Sequence, residues 1–319
     1  MKLKESLLFK KIAINDIVLL LLVVVIIVAF GLINSQFLQV SNLVQYLNSG
    51  VVLAFLTFGL SVTIITGNFD YSIGAMTSFG TVLMAMLMSN GVNMVLSLIF
   101  TFILMLALGA LNGVVVGYLK IPGMLATLGT SSLIYGVSLV LTKGQAINAG
   151  NDTYLFFGKS DLGALPFGLI FLFVVLIVSM LFMHKTKVGR RIYLVGASPK
   201  AAEFSGISYF KQVMIAHMFS ATMCFSGALV LGSKMASGRA DVADTYVLQA
   251  VTASVFGGVS IKGGKGSILG SLLGVMVFTL LKSGLTMINV SQFYRQVISG
   301  VLLLMVLFIR NFNAIFSRQ

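Results

Sequence analysis

The chain has 319 residues, of which 58% are hydrophobic and only 9% charged, with a mean hydropathy of +1.05. A soluble fold of this length lacks the charge to cover its surface, so the bilayer must form much of its solvent. Net charge is +13, but the bases fall between apolar stretches, which fits membrane topology better than nucleic acid.

The chain begins Met1-Lys2-Leu3-Lys4, continues to Lys10-Lys11, and enters an apolar run from Ile17 to Ile33. The layout resembles a signal peptide, yet no A-x-A cleavage site follows, so we read an uncleaved membrane helix. A transmembrane helix needs roughly 20 mostly apolar residues. About ten candidates follow, near 17–33, 43–66, 72–89, 93–118, 124–142, 166–183, 212–233, 246–259, 267–288 and 294–310. The eighth is short and is expected to be tilted, broken or longer at its start.

Loop charge sets orientation. With a cytoplasmic N-terminus, the inner loops hold 15 of the 21 Lys and Arg residues. The outer side receives Lys143, Lys159, Lys234 and Arg239, together with Asp152, Asp161, Asp241 and Asp244. This bias agrees with an even span count and both termini inside. Fold class is therefore an all-α polytopic membrane protein of about ten transmembrane helices, forming one domain over residues 1–319. Five spans followed by five more make two halves in inverted orientation, an arrangement common in transporters. A weak echo links Gly109-Ala110-Leu111-Asn112-Gly113 with Gly270-Ser271-Leu272-Leu273-Gly274. Gly266, Gly270 and Gly274, and likewise Gly109 and Gly113, recur every four residues and let helix backbones approach closely. Packing within the chain is the expectation, ahead of dimerisation.

Several groups carry no readable chemistry. One cysteine, Cys224, cannot form an internal disulfide, and no Cys/His spacing suggests zinc. His184 and His217 fall near membrane boundaries and are expected to be structural. No paired carboxylates or H-E-x-x-H motif supports an enzyme.

The longest inner loop runs from His184 to Lys211. Ser198 is a good N-cap, Pro199 suits the first helical position, Lys200 to Phe204 suit a helix, and Gly206 suits its closure. A short cytoplasmic helix therefore follows Gly196. It either simply connects two spans or fits a groove in a partner protein.

This loop resembles the coupling segment of ribose-type ABC permeases, roughly G-x-N-P-x-A-A-x-x-S-G-I. Ser198 replaces Asn, while Pro199, Ala201, Ala202, Ser205, Gly206 and Ile207 match. Other stretches agree in order: Leu111-Asn112-Gly113, Ile121-Pro122, Thr127-Leu128-Gly129 and Lys143-Gly144-Gln145. Gly257-Gly258, Ser260 and Gly263-Gly264-Lys265-Gly266 resemble a late glycine-rich turn. Thr66-Gly67-Asn68-Phe69-Asp70-Tyr71-Ser72-Ile73-Gly74 resembles T-G-G-I-D-L-S-V-G, with Asn68 and Tyr71 departing. Where the family often carries Y-E-L-D, this chain has Tyr246-Val247-Leu248-Gln249, and Tyr135 stands where an Arg is common.

The resemblance implies a permease subunit of a bacterial ABC importer in the cytoplasmic membrane, moving a small polar, sugar-like solute inward. Its partners would be ABC ATPase subunits, a solute-binding protein outside, and a second permease, identical or paralogous. Residues 185–211 would form the coupling loop, with Gly196, Ser198, Pro199, Lys200, Ala201, Ala202, Glu203, Ser205, Gly206 and Ile207 facing the ATPase. Lys143, Lys159, Lys234 and Arg239 would meet the binding protein, where charge steers encounter.

This chain should bind no ATP-Mg itself. The nearest approach to a Walker A loop, Gly264-Lys265-Gly266, lacks the hydroxyl residue and the preceding strand. Polar groups within spans are candidate solute contacts: Asn68, Asp70, Ser72, Asn112, Thr127, Ser131 and Ser132. Asp70 is the most informative, because a carboxylate at membrane depth costs about 2.5–3.5 kcal/mol. It is expected at the inner end of the second span, within reach of water. There it either caps the third span or lines the pathway. A secondary transporter or channel is the competing class; it would need an ion-coordinating centre, for which Asp70 is the one acid available.

Overall fold

The computed structural model describes residues 2–298 with Gly300, Val301, Leu304, Met305 and Phe308, and side-chain surroundings from Asp16 onward. The chain is mostly helical. In order come α1 (Lys2–Ile33), α2 (Val40–Ser49), α3 (Val51–Ile65), α4 (Ile73–Ser89), α5 (Met94–Gly117) and α6 (Gly123–Thr142). Then follow α7 (Asp152–Lys159), α8 (Phe167–Lys185), α9 (Lys187–Ala197), α10 (Pro199–Phe204), α11 (Tyr209–Met235), α12 (Tyr246–Phe256) and α13 (Ile268–Met287).

Among the described residues, six helices are long and apolar enough to cross a membrane: α1 through Asp16–Ile33, α5, α6, α8, α11 and α13. The bent pair α2 and α3 makes a seventh when taken as one span. This is an all-α polytopic membrane architecture. Of the tenth expected span, 294–310, residues 294–298, 300, 301, 304, 305 and 308 are described and helical, and the rest lie outside the described residues.

The span expected over 43–66 is not continuous. It turns by 43° between α2 and α3. Gly50 sits at the break, and a Cβ there would lie 2.7 Å from the Thr279 hydroxyl of α13. The outer connection after α6 also carries more order than a loop. It contains α7, and Ile147–Asn148 pairs antiparallel with Ser237–Gly238.

Burial ranks the helices. The spanning windows of α11 and α13 are 67% and 61% buried, against 17–28% for α1, α5, α6 and α8. α11 is thus the central post, packed against α3, α4 and α5, while the peripheral helices present exposed Leu96, Phe100, Leu133, Val140 and Phe173 outward. The small faces serve this packing within the chain. Gly109 lies against Ala221 and Gly113 against Met214, both on α11, and Gly274 abuts the Ala253 carbonyl of α12.

Two apolar helices, α4 and α12, are shorter than the spanning helices. α12 has 11 residues and spans about 16 Å, half of a hydrocarbon core of about 30 Å. The segment before it completes the path along α4: Gly238 lies against Thr81, the Ala243 amide donates to Ser78 Oγ at 3.0 Å, and Val247 touches Gly74. Residues 66–72 connect the end of α3 to the start of α4. The first turns of α4 and α12 therefore meet. A shared spacing precedes them, Gly67 to Asp70 and Gly238 to Asp241.

Candidate functional site

The connection between α3 and α4 carries a buried polar knot. Asp70 is 1% exposed. Its Oδ1 accepts the Ser72 amide at 3.0 Å and the Ser72 hydroxyl at 2.6 Å. Its Oδ2 accepts the Ser220 hydroxyl of α11 at 2.8 Å. Asn112 of α5 donates through Nδ2 to Ser72 Oγ at 2.9 Å. Thr127 of α6 accepts the Tyr71 amide at 2.8 Å. Asn68 accepts the Tyr209 hydroxyl at 3.3 Å through its amide oxygen. Four of the expected pathway residues, Asp70, Ser72, Asn112 and Thr127, thus come together, with Thr127 reaching the knot through the backbone of Tyr71, while the Asn68 side chain turns to Tyr209 instead. Ser131, half-buried, and Ser132, exposed, stand apart on α6.

The burial of Asp70 corrects the expectation that water reaches it. Ser220 lies about 16 Å along α11 from Tyr209 at 1.5 Å per residue, while Asn112 and Thr127 lie only about 8 Å and 6 Å from the Gly117 and Gly123 ends of α5 and α6. Among the described residues no Lys, Arg or His lies in ion-pair range of Asp70. Two hydroxyls and one amide satisfy the carboxyl group instead. It binds the Ser72 amide at the N-cap position; it bonds none of the first-turn amides of α4.

In the loop after α9, α10 has the predicted caps. Ser198 Oγ accepts the Ala201 amide at 3.3 Å, and Pro199 occupies the first turn. Gly206, at φ +73°, lets the Ile207 amide return to the Ala202 carbonyl at 2.9 Å. Ala202 is buried; Lys200, Ala201, Glu203, Ser205 and Gly206 are exposed, and Phe204 is 93% exposed.

The base of this helix is held by glycine. A Cβ on Gly196 would collide with the Ile65 carbonyl of α3 and lie 2.7 Å from the Gly264 amide. That amide donates to Ile65 O at 2.8 Å. Gly263 and Gly264 take φ of +81° and +70°, which glycine adopts without strain. Tyr193 of α9 donates its hydroxyl to the Gly266 carbonyl at 2.9 Å. Burial pushes this phenol up to about 12, so it keeps its proton as donor. The ends of α3 and α9 and the turn between α12 and α13 therefore join at one point.

On the opposite side, Lys143 and Lys159 are exposed. Arg239 is exposed and pairs with Asp241 at 3.2 Å. Lys234 differs from the other expected docking residues: its Nζ turns inward and donates to Asn48 O at 2.8 Å, beside the α2–α3 bend.

Residues 42–307 match the family described as branched-chain amino acid transport system / permease component. The chain belongs to this family. It is 33% identical over 281 residues to the ribose import permease protein RbsC of Bacillus subtilis (strain 168), covering 87% of each chain. It is 31% identical over 287 residues to the autoinducer 2 import system permease protein LsrD of Escherichia coli (strain K12), covering 88% of this chain and 87% of that one. No solved structure matches this chain.

Sequence reading missed Ser220, Tyr193 and Phe204. Ser220 is one hydroxyl in an apolar span, with nothing local to mark it. Phe204 lay inside the recognised loop and could have been found by asking which residue of a six-residue helix has no face to bury.

Proposed function

We propose that this chain is the permease subunit of an ABC importer that moves a small hydroxylated, sugar-like solute inward, with ATP hydrolysed on separate subunits. The observation that carries the reading is α10 and its base. A short capped helix presents Ala201 and Phe204 outward, while Gly196 at its root abuts α3 and the turn joining α12 to α13. A push on α10 reaches both half-helix systems through backbone contacts.

On this reading residues 1–319 form one permease domain with residues 185–211 as its coupling loop. Gly196, Ser198, Pro199, Lys200, Ala201, Ala202, Glu203, Ser205, Gly206 and Ile207 then form or support the ATPase contact. Ten spans, cytoplasmic termini and inverted five-helix halves are supported by basic inner loops and by the Gly-x-x-Asp spacing ahead of α4 and α12. Lys143, Lys159 and Arg239 meet the binding protein, a second permease completes the pathway, and the bacterial cytoplasmic membrane is the site of action. ATP-Mg belongs to the partner ATPase, with no cofactor on this chain. Import of ribose and of autoinducer 2 by the two similar permeases supports a sugar-like solute.

Cross-linking tests the contact. With Cys224 buried, Ala201→Cys in the assembled complex should cross-link to the ATPase and lose the link when ATPase is omitted. Labelling of Ala201→Cys by a soluble thiol reagent at equal rates with and without ATPase would sink the docking assignment.

A further inference from the structure

Two adjoining cavities, of about 620 Å³ and 640 Å³, open between α2, α12, α13 and the residues that follow, and share Gln249, Phe278 and Lys282 in their walls. Each lies within the range of about 300–1,000 Å³ usual for small-molecule sites. Neither is lined by Asp70 or by the rest of the buried knot.

Lys282 lies about 8 Å before the Met287 end of α13, counted at 1.5 Å per residue, and is exposed at the cavity wall. An ammonium in an apolar span is costly unless it faces a watery cavity or a partner. Among the described residues no carboxylate is in ion-pair range of it. Arg295 lines the larger cavity as well, and its Nη1 donates to the Thr286 hydroxyl at 2.6 Å. Asp244 supplies an opposing charge on the same wall, so the described lining residues include two cations and one acid.

The start of α12 adds to this field. Asp244 and Thr245, just before its first turn, line the larger cavity, and the Thr245 side chain caps no amide. The first-turn amides of a helix carry partial positive charge and favour an anion nearby. Gln249 offers donor and acceptor groups for hydroxyls, and Phe278 an apolar wall for a carbon skeleton.

We infer that this cavity contacts the transported solute and favours one bearing a carboxylate or phosphate on a hydroxylated skeleton. The inference rests on the permease reading above. Gln249 stands where the family often has Asp, so an amide replaces an acid in the wall of a cavity that Lys282 and Arg295 line.

Opposite-charge thiol reagents test it on the complete importer, because Cys224 is the sole cysteine of this chain and is buried. Gln249→Cys is treated from outside with a methanethiosulfonate carrying either a sulfonate or a trimethylammonium group, each rate normalised to a free thiol. The sulfonate reagent should react about tenfold faster, the scale of charge focusing in a cleft. Lys282→Gln should remove most of that preference, and modification should block ATP-dependent uptake. Equal rates, no reaction with either reagent, or full uptake after complete modification would overturn the inference. An importer that shows no ATP-dependent uptake before modification defeats the permease reading separately, while the rate ratio still decides whether the cavity prefers anions.

Discussion

Asp70 and Ser220, 150 residues apart in sequence, share a hydrogen bond of 2.8 Å at the centre of the molecule. The bond ties the start of α4 to the central post α11. The anchor of α4 is built from the connection that precedes it. The carboxyl group does this by collecting the Ser72 amide and hydroxyl on one oxygen and Ser220 on the other.

Ser220→Ala should therefore lower stability without touching solute. It leaves Oδ2 of Asp70 buried without its donor, a loss of about 1–3 kcal/mol. Thermal unfolding in detergent should shift down, with uptake per folded molecule retained. Asp70→Asn keeps one acceptor and should lose less than Asp70→Leu. A stable, well-expressed Asp70→Asn chain devoid of transport would instead place Asp70 in the pathway.

The glycine junction should be intolerant of even one methyl group. Gly196→Ala drives a Cβ into the Ile65 carbonyl, and relief requires α9 to move off α3. We expect a sharp fall in folded yield or in ATPase-coupled uptake. Gly206→Ala has open space but a φ of +73°, and should cost about 1–2 kcal/mol through strain alone. Normal melting and uptake for Gly196→Ala would show that the junction is looser than its geometry.

Phe204 separates docking from folding. At 93% exposure it contributes little to the isolated chain, and Phe204→Ala should change stability by less than about 0.5 kcal/mol. If it anchors the ATPase, the same variant should weaken the complex by about 2 kcal/mol or more. Affinity of purified permease for its ATPase reads this directly, and an unchanged affinity removes Phe204 from the contact.

The outer lysines should divide into two groups. Lys234 donates to Asn48 at the α2–α3 bend, so Lys234→Met should lower the melting temperature. Lys143→Glu and Lys159→Glu should leave melting unchanged and slow binding-protein association most at low salt. A salt-independent rate in both variants would exclude them from the docking surface.

Helix existence was legible in the chain because apolar runs of about twenty residues have few alternatives. The cap of α10 was legible because Ser198, Pro199 and Gly206 act locally. What sequence hid were relations between distant segments. The break at Gly50 lies against Thr279, the anchor of α4 depends on Ser220, and the inward turn of Lys234 depends on Asn48. Hydropathy averages over a window and cannot distinguish one full span from an extended segment plus the half-helix α12.

The central claim is that ATP hydrolysed on a partner drives solute through this chain. Proteoliposomes holding the permease, its ATPase and its binding protein should accumulate labelled ribose, or a sugar acid offered in its place, only when ATP is present on the ATPase side. Phe204→Ala should reduce that uptake in proportion to lost ATPase binding. Accumulation driven by an ion gradient in the permease alone, without ATP, and abolished by Asp70→Asn, would contradict the account and make the chain a secondary transporter.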